Sequence, residues 1–312
     1  MQARKRRLFI FNSKMERFIS HIILMSVLFV VFFLAIIWLS FDVFRSNASF
    51  TLPADTKSIV IGHSHPECAI DDAMLKETVN LATSAEAYFY SHQKLKRIIK
   101  NNPQIERVYL EFTNNQISSI MDDWTFGDEK QSHHMPKYMP FLSGSELELF
   151  VRASFDSFFG ALLNSTRENF FRMISRDYLI ADELGGYNEL TRVMHFQEDS
   201  KEYTEEDQRL FKTLSEFNLS MLDSILKLVD EEEIEIIGIR SPQHKSIPDL
   251  LNESKFDSIK GVKFANYEFW DFNTLSLPDS AFADPGHLNA QGAYLYTGNL
   301  RKRVEAFESA KE

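Results

Sequence analysis

The first strong pattern in the chain is a run from Phe18 to Phe41, 24 residues that include no Asp, Glu, Lys or Arg. As a helix it would be about 36 Å long, enough to cross a hydrocarbon core with some tilt. Beyond it, apolar positions fall into short runs separated by amphipathic stretches. Ser58-Ile59-Val60-Ile61 and Ile236-Ile237-Gly238-Ile239 are apolar on consecutive positions and short, the signature of strands covered on both faces. The pattern predicts strand 58–62, a helix around 71–77, strand 78–82, helix 85–100, strand 105–112 and then an irregular and helical region. It continues with an amphipathic helix about 205–229, strand 234–240, a helical turn near 247–257, strand 262–266 and a last helix after Asn289. Strands alternating with helices imply an α/β domain with a mainly parallel sheet between helical layers. Ligands of such sheets bind at the carboxyl ends of the strands, where Ser64, Asn114 and Ser241 would emerge.

Charge then sets the topology. Arg4, Lys5, Arg6, Arg7, Lys14 and Arg17 precede the apolar run, which makes 1–17 a cytoplasmic basic tail by the positive-inside rule and 18–41 a transmembrane helix. A cleaved signal peptide is the alternative, but its apolar region should span only about 7–15 residues before a small-x-small site. Residues 42–57 read as a short polar stalk, and 58–312 as one α/β domain with a helical cap inserted at about 116–204. Trp124, Phe126, His133, His134, Tyr138 and Phe141, followed by Phe150, Phe155, Phe158, Phe159, Phe170 and Phe171, are expected to give that cap a satellite core. Of the net charge of −11, the first 17 residues contribute +5 and the remainder −16, which excludes a nucleic-acid partner. Cys68 stands alone, so no internal disulfide forms; its setting suits a small buried thiol better than a nucleophile.

Two strings carry the chemistry. Gly62-His63-Ser64-His65 follows directly on the apolar run 58–61, and Asp284-Pro285-Gly286-His287-Leu288-Asn289 lies near the C-terminus. A serine at the end of a buried strand is held on a turn with its hydroxyl exposed, and an Asp-x-x-His pair supplies a base and the group that orients it. Pro66 occupies the second glycine position of Gly-x-Ser-x-Gly, which argues against the nucleophile elbow. A competing reading makes His63, His65, Asp284 and His287 ligands of a divalent metal for phosphoester hydrolysis. Against it, His63 and His65 flank Ser64 and would point to opposite faces if strand geometry continued.

Serine after the first strand, with Asp and His three residues apart at the far end, resembles the SGNH (GDSL-type) hydrolase superfamily, over most of residues 58–300. Gly62 and Ser64 match its first block, with His63 where aspartate is usual; Asn80-Leu81-Ala82-Thr83-Ser84-Ala85 occupies the second block without its glycine. Phe112-Thr113-Asn114-Asn115 stands at the third, and Asp284 to His287 at the fifth. The strings around Ser64, Ser241-Pro242-Gln243-His244 and His287 are similar to membrane-anchored SGNH-like proteins of bacterial envelopes, including the DltD-like group. The resemblance implies a three-layer α/β/α flavodoxin-like fold, Ser64, His287 and Asp284 as catalytic residues, and oxyanion donors from the Ser64 amide, the Ala85 region and the Asn114 side chain. His63, His65, Ser241 and His244 would line the substrate pocket, and no metal or cofactor is implied. The expected activity is a serine esterase or O-acyltransferase acting on an acylated glycan or cell-wall polymer outside the inner membrane, with a membrane-bound O-acyltransferase as a candidate partner. The missing second-block glycine leaves a further reading open, a non-catalytic accessory protein that retains the fold.

Overall fold

The computed structural model describes residues 2–195, 204–247 and 252–311. Strands β1 (Ser58–Ile61), β2 (Thr78–Asn80), β3 (Arg107–Glu111), β4 (Glu235–Arg240) and β5 (Glu268–Asp271) pair in parallel in the order β2-β1-β3-β4-β5. This is the flavodoxin-like order, whose ligand crevice opens where the chain reverses direction across the sheet, between β1 and β3. Alternate side chains of each strand point to opposite faces. Ile59, Ile61, Val108 and Leu110 therefore enter one core, and Val60, Tyr109, Ile237 and Ile239 the other. Helices Tyr88–Asn101 and Glu216–Glu231 cover the first face through Leu95, Ile98, Leu222 and Ile225. Helix Ala290–Ser309 covers the second through Tyr296 and Leu300, completing three layers.

Several expected boundaries move for local reasons. The helix expected around 71–77 is replaced by a short helix at Ser64–Ala69 and a single 3-10 turn at Asp72–Met74. The long helix at 205–229 divides into Glu205–Lys212 and Glu216–Glu231, because the Ser215 hydroxyl accepts from the Asn218 amide at 2.9 Å and caps a new helix. The strand expected at 262–266 is the end of helix Glu253–Lys263 and the turn after it, and β5 follows at 268–271. Its apolar signal came from Val262, which is exposed, and Phe264, which is buried at the helix C-cap. Part of the helical turn expected near 247–257, residues 248–251, lies outside the described residues.

Residues 42–57 are not a free stalk. One helix, Gln2–Asn47, contains the whole apolar run and continues into this stretch. Phe44, Phe50 and Leu52 are buried in the first core. Asn102 clamps the backbone between them, accepting from the Leu52 amide at 2.7 Å and donating to the Phe50 carbonyl at 2.8 Å.

The insertion after β3 is helical, with Ile120–Phe126, Asp128–Tyr138, Gly144–Ala153 and Phe155–Ser175 as its main helices. Among the described residues it has no separate satellite core. Met135, Tyr138 and Phe150 extend the first core of the sheet, whereas Phe155, Phe159, Phe170 and Phe171 face outward.

Candidate active site

The chain leaves β1 through Gly62 and turns at once into helix Ser64–Ala69. Glycine is required at 62 by close approach: a Cβ there would lie 2.5 Å from the Glu111 Cβ and 2.8 Å from the Pro66 ring. His63 caps the helix, its Nδ1 accepting from the His65 amide at 3.3 Å, and Pro66 falls in the first turn, where no intrahelical donor is lost. Ser64 thus begins a helix at the carboxyl end of β1, partly exposed at the reversal point of the sheet.

The second string folds as a tight antiparallel hairpin, β6 (Phe282–Asp284) and β7 (His287–Leu288). Asp284 organises it: Oδ1 accepts from the amides of Gly286 at 2.8 Å and His287 at 3.1 Å. The same carboxylate lies 2.9 Å from His287 Nδ1. On the opposite side of the ring, His287 Nε2 lies 2.8 Å from the Ser64 hydroxyl. With the proton on Nδ1, Nε2 is free to accept from Ser64. Burial pushes the Asp284 carboxyl up, but the His287 bond and charge and the two amides outweigh it and hold the group below the usual carboxylate range. The hairpin is fixed from both sides. His244 donates its amide to the Pro285 carbonyl at 2.9 Å, and Asn289 caps the last helix while its side chain donates to the Ser280 carbonyl at 2.8 Å.

Beneath this surface lies a buried polar layer. The rings of His63 and His65 are 4.3 Å apart, edge to face, because the helix that starts at Ser64 ends the strand alternation that would have separated them. His63 Nε2 donates to the Thr113 hydroxyl at 3.2 Å, and its ring meets Trp124 at 5.7 Å. Burial first, then the neighbouring His287, drives His63 down to about 3. Burial likewise drives His65 well down, helped by His63 and His287, so both rings are neutral. Glu111, fully buried at the end of β3, sits 3.9 Å from His65 and accepts from the Ser241 amide at 3.1 Å and hydroxyl at 3.0 Å. Its burial pushes it up to about 8, against the two Ser241 bonds. His63, His65 and Ser241 are therefore packed under the site, which corrects the expectation that they line a substrate pocket. Among the described residues no group of three or more His, Cys, Asp or Glu side chains converges as a metal site, so the four proposed ligands do not fit that role.

One further expectation changes, that for Asn114, whereas Cys68 is the buried thiol its setting suggested. The Asn114 carboxamide faces away from an oxyanion role: its oxygen accepts from Arg240 at 2.6 Å and its nitrogen donates to Glu253 at 2.9 Å. It cross-links the ends of β3 and β4 to helix Glu253–Lys263. Cys68 is buried, and burial, Glu67 and Asp284 push its thiol up to about 12, which removes it as a thiolate nucleophile. Ala85 has a left-handed φ of 55°, so a conformation that favours glycine persists at the second block although glycine is absent.

Other groups near the site had weaker signals in the sequence. Glu111 could have been noticed as a carboxylate closing an otherwise apolar strand in the centre of a parallel sheet. Gln243 donates towards the His65 ring at 3.4 Å and connects it to a cavity of about 500 Å³ lined by Arg240, His244, Asn273 and Leu277. Glu67, one turn after Ser64, accepts from the Ser84 hydroxyl; burial raises its carboxyl, opposed by Ser84 and His287. Trp124, expected in the core of the cap, instead meets the His63 ring. Finally, residues 184–195 form a strap over this end of the sheet. Gly185, at φ 138° and with its missing Cβ facing the Ala82 carbonyl at 2.2 Å, admits the strap; Asn188 then bonds Glu67, and Met194 bonds Phe282.

A family model that carries no description matches residues 171–308, less than half of the chain. No curated protein matches the sequence. Among solved structures, a proposed acylhydrolase of Bacteroides fragilis NCTC 9343 is 10% identical with a TM-score of 0.34, covering 83% of this chain and 92% of its own. A GDSL-like lipase of Bacteroides thetaiotaomicron VPI-5482 gives 10% identity and a TM-score of 0.34, covering 84% of this chain and 94% of its own. Neither likeness supports a conclusion about activity.

Proposed function

We propose that the protein is a membrane-anchored serine esterase or O-acyltransferase of the SGNH type, acting on acyl esters of a cell-envelope polysaccharide or cell-wall polymer. The observation that carries the reading is the chain of contacts from Asp284 through both ring nitrogens of His287 to the Ser64 hydroxyl, at 2.9 and 2.8 Å. In this reading His287 takes the Ser64 proton as the serine oxygen attacks an ester carbonyl, and Asp284 holds the ring and stabilises the cation that forms. The buried layer below is neutral at neutral pH, so Asp284 is the charged partner that the imidazolium meets directly. The Ser64 amide and the backbone amide of Ala85 are the candidate oxyanion donors, each such donor being worth about 3 kcal/mol. His287 then protonates the leaving alcohol. Attack by water completes an esterase cycle, attack by a sugar hydroxyl a transfer; a membrane-bound O-acyltransferase is a fitting supplier of the acyl group. The helix Gln2–Asn47 anchors the chain with its basic end cytoplasmic and the α/β domain across the inner membrane.

The engaged Asn114 carboxamide favours a second reading, an accessory protein that binds acylated polymer without turning it over. A fluorophosphonate probe applied to the full-length protein in detergent distinguishes the two. Labelling at Ser64, absent in Ser64→Ala and lowered by a factor on the order of 10³ in His287→Ala, is the expected result. A folded wild type that does not label overturns the enzymatic reading.

A further inference from the structure

Helix Phe155–Ser175 is built inside out. Ser157, Ala161, Ser165 and Asn169, four residues apart, face the protein and are buried. Phe155 and Phe171 are 61% and 62% exposed, and Phe159, Leu163, Phe170 and Ile174 share the same outer side. A helix on a water-facing surface turns the other way, since each Phe, Leu or Ile left outside forgoes about 1.5–3 kcal/mol of burial. An apolar face of this kind, carrying Asp156 at one end and Arg167 further along as its exposed charges, marks an interaction surface.

Its position says what covers it. The helix lies against Gln2–Asn47, and Leu163, Thr166, Arg167 and Phe170 share a cleft of about 260 Å³ with Phe33 and Ile36. Further along, the Arg172 guanidinium sits 5.8 Å from the centre of the Phe44 ring. Phe33 and Ile36 belong to the uncharged run that ends at Phe41. At helical rise they lie about 12 and 8 Å below that end. An interfacial amphipathic helix sits about 5–10 Å into the boundary between headgroups and acyl chains. We infer that helix Phe155–Ser175 is embedded in the bilayer leaflet on the catalytic side, its phenylalanines among the acyl chains and its inner face holding the domain. Arg167, exposed beside the cleft and donating to Asn164 at 2.5 Å, has a side chain long enough to reach the phosphates from that depth.

This rests on the reading of Gln2–Asn47 as a membrane anchor, and the test separates the two. Cys68 is replaced by Ala in the full-length chain, and a nitroxide is placed through Phe171→Cys, Leu28→Cys or Lys227→Cys, with one copy per nanodisc of phosphatidylethanolamine and phosphatidylglycerol. Collision with oxygen, which partitions into lipid, is compared with collision with a water-soluble nickel chelate. The oxygen-to-nickel ratio is expected to be severalfold higher at positions 171 and 28 than at 227, with Phe155→Cys repeating the result at the other end of the helix. A lipid-exposed label at 28 with a water-exposed label at 171 overturns the inference and leaves the anchor intact. Water exposure at 28 overturns the anchor. A label at 171 shielded from both reagents shows a protein contact instead, and also overturns the inference.

Discussion

Asn114 illustrates how a residue's neighbours decide its work. Its carboxamide is held by Arg240 and Glu253, which approach from positions 126 and 139 residues further along the chain. Nothing around Phe112-Thr113-Asn114 announces those partners, so the motif position was legible and the side-chain role was not. Asn114→Ala leaves buried charge on Arg240 short of a partner and is expected to cost about 1–3 kcal/mol in urea unfolding. Labelling of Ser64 per folded molecule should stay as in the wild type; a hundredfold fall at unchanged stability would return the residue to the oxyanion site. Glu111 gives a pH signature. Its carboxyl is raised to about 8 from its ordinary 4.5, so its contribution to stability is fully present below pH 4.5, declines as pH rises, and is lost above about 8. The facing groups are Ser241, the neutral His65, Arg240, Asp271 and Tyr296. Glu111→Gln keeps the shape without the titration. Its stability should fall less between pH 5 and pH 8 than that of the wild type, by on the order of a few kcal/mol; equal slopes would show that Glu111 ionises normally.

At the scale of elements, the loop 81–87 that follows β2 is tied to the next helix by a buried ion pair. Lys94, on helix Tyr88–Asn101, meets Glu86 at 2.6 Å, with both side chains inaccessible to solvent, and donates to the Leu81 carbonyl at 2.5 Å. These bonds bracket Ala85, which lies at positive φ between Leu81 and Glu86. Removing the ammonium alone strands the carboxylate, so Lys94→Met is expected to lower stability by about 3–5 kcal/mol in thermal or urea unfolding. Recovery in a Lys94→Met, Glu86→Gln double variant would confirm that the stranded charge is the cause. The elements most legible from sequence were those whose pattern is local: β1, β3 and β4 as apolar runs, and the Asp284–His287 hairpin as a spacing. Those misplaced depend on packing. Val262 and Phe264 looked like strand and close a helix, and the serine cap that divides 205–229 was hidden inside an unbroken amphipathic pattern.

For the whole molecule, the apolar run and the parallel α/β order were both visible in the chain, while the junction between them was not. Phe44, Phe50 and Leu52 are too widely and irregularly spaced to look like core, yet they weld the helix to the sheet. A flexible tether of the sixteen residues from 42 to 57 would give an r.m.s. reach of about 20–24 Å. The packed segment gives none. If the proposed anchor and activity hold, the domain travels in a plane at constant altitude above the membrane, and Ser64 meets only what is presented at that height. Substrate range would then be fixed by elevation as much as by chemistry: an ester carried well out along a polymer would be beyond reach unless the polymer bends down to the surface.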